Sequence, residues 1–138
     1  MWTNQCEIET DAAPEAIWRL WADVSGWPAW NGDIERIELI GPFAAGGRIR
    51  MTPIGGDPIE LLVADAIEPE FFVDEARLDG VVVRTIHRVQ RLDCGRNRIT
   101  YRLELSGSAA DTIGPELGGR ISADFPQTLA ALAARAEG

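Results

Sequence analysis

The chain carries one histidine, His87, and one tyrosine, Tyr101. Imidazole exchanges protons near neutral pH, and a phenol can donate to an oxygen that gains charge. The pair would therefore suit general acid and base work on an enolising carbonyl compound. Both sit in alternating segments. Along 81–92, Val81, Val83, Thr85, His87 and Val89 share one face, and Arg84, Arg88 and Gln90 share the other. The apolar set belongs inside and takes Thr85 and His87 with it. Along 98–106, Ile99, Tyr101, Leu103 and Leu105 point inward, opposite Arg98, Arg102 and Glu104. A turn through Asp93-Cys94-Gly95 brings His87 near Tyr101. The plainer alternative for His87 is a buried ring bonded to a neighbour, serving the fold or the polarity of a ligand site.

Much other chemistry is excluded by residue type. All 13 basic residues are arginine, so neither a Schiff-base lysine nor a phosphate-loop lysine is available. There is no G-x-S-x-G and no Ser/His/Asp arrangement. One histidine and two distant cysteines, Cys6 and Cys94, give no metal spacing and no disulfide framework. No metal and no cofactor are expected. Asp74 and Glu75 are neighbours in a strand and point to opposite faces, so they do not form a carboxylate pair by themselves. Asp65 shares strand parity with Ile59, Leu61 and Val63, which makes it a site carboxylate or a solvated residue near an opening.

Aromatic residues suggest a ligand instead. Trp18, Trp21, Trp27 and Trp30 crowd one short region and could stack on a fused ring. Trp21 reads as core, and Trp30, in a loop, as a candidate for ligand contact. Phe43, Met51 and Val63 are candidates for a cavity wall, as are Phe125 and Leu129 in the last helix. Ordinary core packing is the alternative for each.

These side chains need elements to position them. The 138 residues match one domain, 1–138, with no repeat or linker. Strand signals cover 6–10, 34–40, 47–52, 59–67, 71–78, 81–92 and 98–106. Their close spacing makes the sheet antiparallel. Asp11 is placed to cap a helix opened by Pro14 and Glu15, whose buried face is Ile17, Leu20, Trp21 and Val24. Trp27-Pro28 ends it. A C-terminal helix over about 109–136 carries the stripe Ile113, Leu117, Ile121, Phe125, Leu129 and Leu132. Pro126 should kink or split it, and Gly114, Gly118 and Gly119 let another surface come close. The result is an α+β fold: a curved antiparallel sheet of about seven strands wrapped around a long C-terminal helix, with a short helical segment after the first strand. Such a pair of layers commonly leaves a space for an apolar ligand.

Net charge is −9, with 22 acidic residues against 13 basic. Nucleic acid and anionic lipid surfaces are therefore unexpected partners. No apolar run approaches a membrane span, and 1–5 lacks the pattern of a signal peptide, so a cytoplasmic protein is expected. Trp2, at an exposed-looking start, is a candidate for an intermolecular contact.

One group of motifs adds to this. Ala13-Pro14-Glu15-Ala16-Ile17-Trp18 is followed by Trp27-Pro28-Ala29-Trp30-Asn31, then Gly41-Pro42-Phe43 with Gly46-Gly47. Asp74-Glu75, Ile86-His87-Arg88, Ile99-Thr100-Tyr101 and Ser106-Gly107 come next. In this order they resemble the START-like helix-grip (SRPBCC) superfamily over nearly the whole chain, most closely its small polyketide cyclase/dehydrase-like bacterial members. The resemblance implies an apolar cavity between sheet and C-terminal helix, and no single chemistry. It leads to a binder of a small apolar or aromatic molecule, polyketide-like or lipid-like. The alternative is a cyclase or dehydratase using His87 and Tyr101, in which orientation of the chain supplies much of the rate. A third reading is a protein-interaction module.

Overall fold

A computed structural model describes residues 1–138. Seven strands form one antiparallel sheet: β1 (Trp2–Thr10), β2 (Ile34–Ile40), β3 (Arg48–Pro53), β4 (Ile59–Ile67), β5 (Phe71–Leu78), β6 (Val81–Arg91) and β7 (Asn97–Ser106). Their order across the sheet is β1-β7-β6-β5-β4-β3-β2. Each strand from β2 to β6 therefore pairs with the next along the chain, and β1 closes against β7. Between β1 and β2 lie α1 (Pro14–Ala22) and a 3₁₀ turn (Val24–Ala29). After β7 come α2 (Ala110–Ser122) and α3 (Phe125–Glu137).

The inner face follows the period of two. On β7, residues alternate strictly between buried and half-buried, with Ile99, Tyr101, Leu103 and Leu105 at most 4% exposed. β6 buries Val81, Val83, His87 and Val89. Its outward Arg84 pairs with Glu75 at 3.4 Å, and Arg88 lies over the Phe71 ring.

Local details refine the sequence reading: β1 begins at Trp2 rather than at residue 6, and Asp65 takes the solvated of its two alternatives. Asp11 does not cap α1. The helix starts after Ala13, and the Asp11 carboxylate instead accepts from Arg96 at 2.9 Å. A register shift between Val63 and Asp65 adds one residue to β4, so the parity reverses there and Asp65 is exposed. The first half of the long helix also buries a different face. Ala110, Gly114, Gly118 and Ser122 are buried, while Ile113 is 37% exposed.

Trp2 explains that rotation. A Cβ on Gly114 would come 2.6 Å from the Trp2 Cβ, and one on Gly118 would overlap the Trp2 ring. The half-buried indole thus lies on a glycine track of its own α2. No branched aliphatic could occupy that face. The long helix breaks where the ring of Pro126 enters the first turn of α3. Proline has no N–H to continue the ladder, so Ala123 and Asp124 form a corner.

The glycine track yields a paired expectation. Gly118→Ala should lower stability by about 1–3 kcal/mol, because the indole must shift. Gly119→Ala faces open space and should be neutral or gain up to about 1 kcal/mol in helix propensity. Urea denaturation of the two variants measures the difference, and equal effects would contradict the packing.

Candidate functional site

The sheet and the bent helix enclose a cavity of about 740 Å³. Its wall comprises 26 residues, 15 of them hydrophobic, so it is apolar with a few polar interruptions. Three adjacent strands supply the deep polar groups. The two-residue turn Asp79-Gly80 pairs Leu78 with Val81, which sets Asp74 opposite Thr85 and Phe72 opposite His87. The β6–β7 hairpin then sets His87 directly opposite Tyr101. Asp74, Thr85, His87 and Tyr101 consequently share one patch of the cavity wall.

His87 is held in an aromatic box. Its ring stacks on Phe72, with centroids 3.9 Å apart and planes 4° from parallel. Tyr101 meets it edge-on at 4.6 Å, and Trp21 lies 6.1 Å away. His87 Nδ1 lies 3.3 Å from the Phe72 carbonyl oxygen. A carbonyl only accepts, so Nδ1 carries the proton and Nε2 presents its lone pair. That nitrogen lies 3.9 Å from Asp74 Oδ2. The Tyr101 hydroxyl accepts from Trp21 Nε1 at 3.2 Å, which leaves its own hydrogen free. Trp27 Nε1 in turn donates to the Trp21 carbonyl at 2.9 Å, tying the 3₁₀ turn to α1.

Burial sets the protonation states. It lowers His87 from 6.5 to about 3, so the ring is neutral despite the opposing effect of its carbonyl partner. Burial also raises the Tyr101 phenol, and the charges of Asp74 and Asp124 add to that. Asp74 is raised from 3.8 to about 7, first by burial and then by Glu75. The group in this patch that changes charge near neutrality is thus Asp74, rather than His87 or Tyr101. A second acidic group lies at the helix corner. Asp124 is raised to about 6, first by desolvation and then by a hydrogen bond to the Asp33 carboxylate and by its charge.

Of the side chains expected to touch a ligand, Trp30, Met51, Thr85, His87, Tyr101 and Phe125 are in the cavity wall. Phe43, Val63 and Leu129 are outside it. Phe43 packs edge-on against Trp18 and Phe72, on the far side of Phe72 from the His87 ring. Val63 and Leu129 are at most 1% exposed and belong to the close-packed core. Trp21 is core, as expected, yet one side of it also reaches the cavity. Asp74, Asp33 and Asp124 were not expected there, while Trp27, one of the tryptophans expected to cluster for stacking, is in the wall. For Asp74 the signal was present: Phe72 and Ala76 flank it on one strand face, and the Asp79-Gly80 turn fixes which residues it meets. For Asp33 and Asp124, 91 positions apart in the chain, no local signal exists.

A family model described as polyketide cyclase/dehydrase and lipid transport matches residues 1–137. The chain belongs to that family. Among solved structures, a START superfamily protein from Mycobacterium smegmatis is similar with a TM-score of 0.75 at 17% identity, covering 98% of this chain and 97% of the other. A norcoclaurine synthase point mutant from Thalictrum flavum, in complex with a transition-state analogue, gives a TM-score of 0.77 at 15% identity, covering 97% and 92%. The di-domain ARO/CYC BexL gives 0.74 at 12% identity, covering 99% of this chain and 50% of its own. At these identities the likeness establishes the helix-grip fold. Among curated protein sequences none matches. No helix is long and apolar enough to cross a membrane.

The opposed shifts of Asp74 and His87 produce a specific pH response. Between about pH 4 and 6.5 the folded pair holds one proton, on Asp74, and the unfolded pair also holds one, on His87. The pair then contributes no slope to stability over that range. Asp74→Asn removes one side of the balance. The folded His87 stays neutral while the unfolded one is protonated, so stability should rise with pH from about 3 to 6.5. His87→Gln does the reverse, and stability should fall from about pH 4 to 7. Each slope approaches about 1.4 kcal/mol per pH unit. Urea denaturation at several pH values reads both, and equal slopes in the two variants would refute the assignment.

Proposed function

We propose that this protein binds a small apolar or aromatic molecule, polyketide-like or lipid-like, in the space between the sheet and the bent C-terminal helix. The observation that carries this reading is the cavity itself. Its 740 Å³ is within the range of about 300–1,000 Å³ that encloses small organic ligands. Its wall is largely hydrophobic, with four polar side chains converging on one patch. That combination solvates an aromatic body and orients it by a few hydrogen bonds. Trp27, Trp30 and Phe125 offer ring faces and edges, and Met51 offers an adaptable thioether. The family's description, with its lipid transport and polyketide chemistry, supports the same class of ligand.

Isothermal titration with naphthylethanol, a neutral aromatic probe, tests the reading. Saturable binding of one probe per chain is expected. Thr85→Trp, which fills the patch from the cavity wall, should weaken it roughly tenfold or more. Circular dichroism checks that this variant retains its fold. Unaltered affinity in a folded Thr85→Trp, or no saturable binding to the unmodified protein, would defeat the proposal.

A second reading, a cyclase or dehydratase acting on a polyketide-like chain, is favoured by one observation: a carboxyl that titrates near neutrality beside the lone pair of His87. Asp74 would exchange the proton, Tyr101 would donate to a substrate carbonyl oxygen, and the His87 Nε2 lone pair would accept from an enol hydroxyl. Turnover of a poly-β-ketone should then follow an apparent pKa near 7 that disappears in Asp74→Asn. A pH profile that keeps this inflection in the variant would remove Asp74 from the role.

A further inference from the structure

The polar groups of the cavity are unevenly charged. Asp74, Asp33 and Asp124 all belong to its wall. The charges of Asp74 and Asp124 both act on the Tyr101 phenol, so these two carboxyls are within electrostatic reach of the same part of the wall. Asp74 is the telling one. Its side chain is 9% exposed, it makes no hydrogen bond, and the basic side chain paired with it is His87, with Nε2 3.9 Å from Oδ2. That ring is neutral and supplies no counter-charge. A carboxyl buried this deeply is normally paired or hydrogen-bonded. Here it faces an aromatic-walled void and has no partner.

The wall contains one basic side chain, Arg120. It is 71% exposed and holds Glu116 at 3.1 Å, so it is at the rim and engaged. A carboxylate or phosphate ligand would meet three carboxyls and no free cation. A protonated amine meets the opposite situation: an unpaired carboxylate and ring faces that attract a cation. The net charge of −9 also draws cations toward the molecule.

We propose that the ligand is a primary or secondary amine on an aromatic or apolar body, its ammonium set against Asp74 and its body between the cavity's aromatic side chains. This rests on the ligand-binding reading above and narrows it. An ammonium within reach of Asp74 favours the ionised carboxylate, which resolves the cost of burying that group alone. The Asp33–Asp124 pair at the helix corner adds a negative field on the way in.

Three probes with one body and different charges provide the test: naphthylethylamine, naphthylethanol and naphthylacetate, titrated into the full chain at pH 8. The amine should bind at least tenfold tighter than the alcohol, and the acid more weakly than either. In Asp74→Asn the preference for the amine over the alcohol should fall to less than threefold. An amine that binds no tighter than the alcohol, or a preference that survives Asp74→Asn, overturns this inference and leaves the ligand-binding reading in place. Failure of all three probes to bind defeats both. The charge series on the unmodified protein decides the question even if the variant does not fold.

Discussion

Strand register across β5, β6 and β7 is the constraint on which the rest of this molecule depends. Antiparallel pairing with a period of two admits only two orientations for each strand, and the apolar residues choose one. Once Phe72, Val83 and Leu103 turn inward, Asp74, Thr85, His87 and Tyr101 must follow, because they occupy positions of the same parity. Polar groups are thus placed beneath the helix by their apolar neighbours, at a cost that appears in their protonation. His87 gives up its charge, and Asp74 keeps its proton up to neutrality.

The helix then determines whether a space remains. A straight amphipathic rod of 28 residues (110–137) laid on this sheet would press its apolar stripe into the same wall. Two features prevent this. The glycine track of α2 takes the Trp2 indole, which brings the first half close to β1 at the edge of the sheet. The break before Pro126 then redirects α3, so Phe125 enters the wall and Leu129 and Leu132 go to the core. The cavity lies in the angle. Its aromatic lining and its carboxyls come from elements far apart in sequence, with Asp33 after the 3₁₀ turn, Asp74 on β5 and Asp124 at the corner.

Within this site the chemistry is divided in a way that side-chain type alone does not suggest. Histidine is the usual proton carrier near neutral pH, yet here desolvation moves it away from neutrality and moves the tyrosine phenol further from it. The same desolvation moves a carboxyl toward it. Burial opposes charge of either sign, so it lowers a base and raises an acid, and a buried Asp–His pair can end with both members neutral.

The amino-acid sequence alone determined the number of strands, the inward faces of β6 and β7, the antiparallel sheet, the split of the final helix near Pro126 and the meeting of His87 with Tyr101. Each of these follows from local periodicity, tight turns or the missing N–H of proline, all of which act over a few residues. The resemblance to the helix-grip superfamily was legible in the same short motifs. Tertiary structure alone decided that Val63 and Leu129 are close-packed core and that Phe43 packs half-buried against it, since the boundary between cavity and core depends on how layers meet and not on the residue's own character. It alone reversed Asp65 through an extra residue in β4, turned α2 so that glycines rather than Ile113 face the sheet, and gathered Asp33 and Asp124 at one corner. Those outcomes are contacts between distant segments, and no pattern within either segment encodes them.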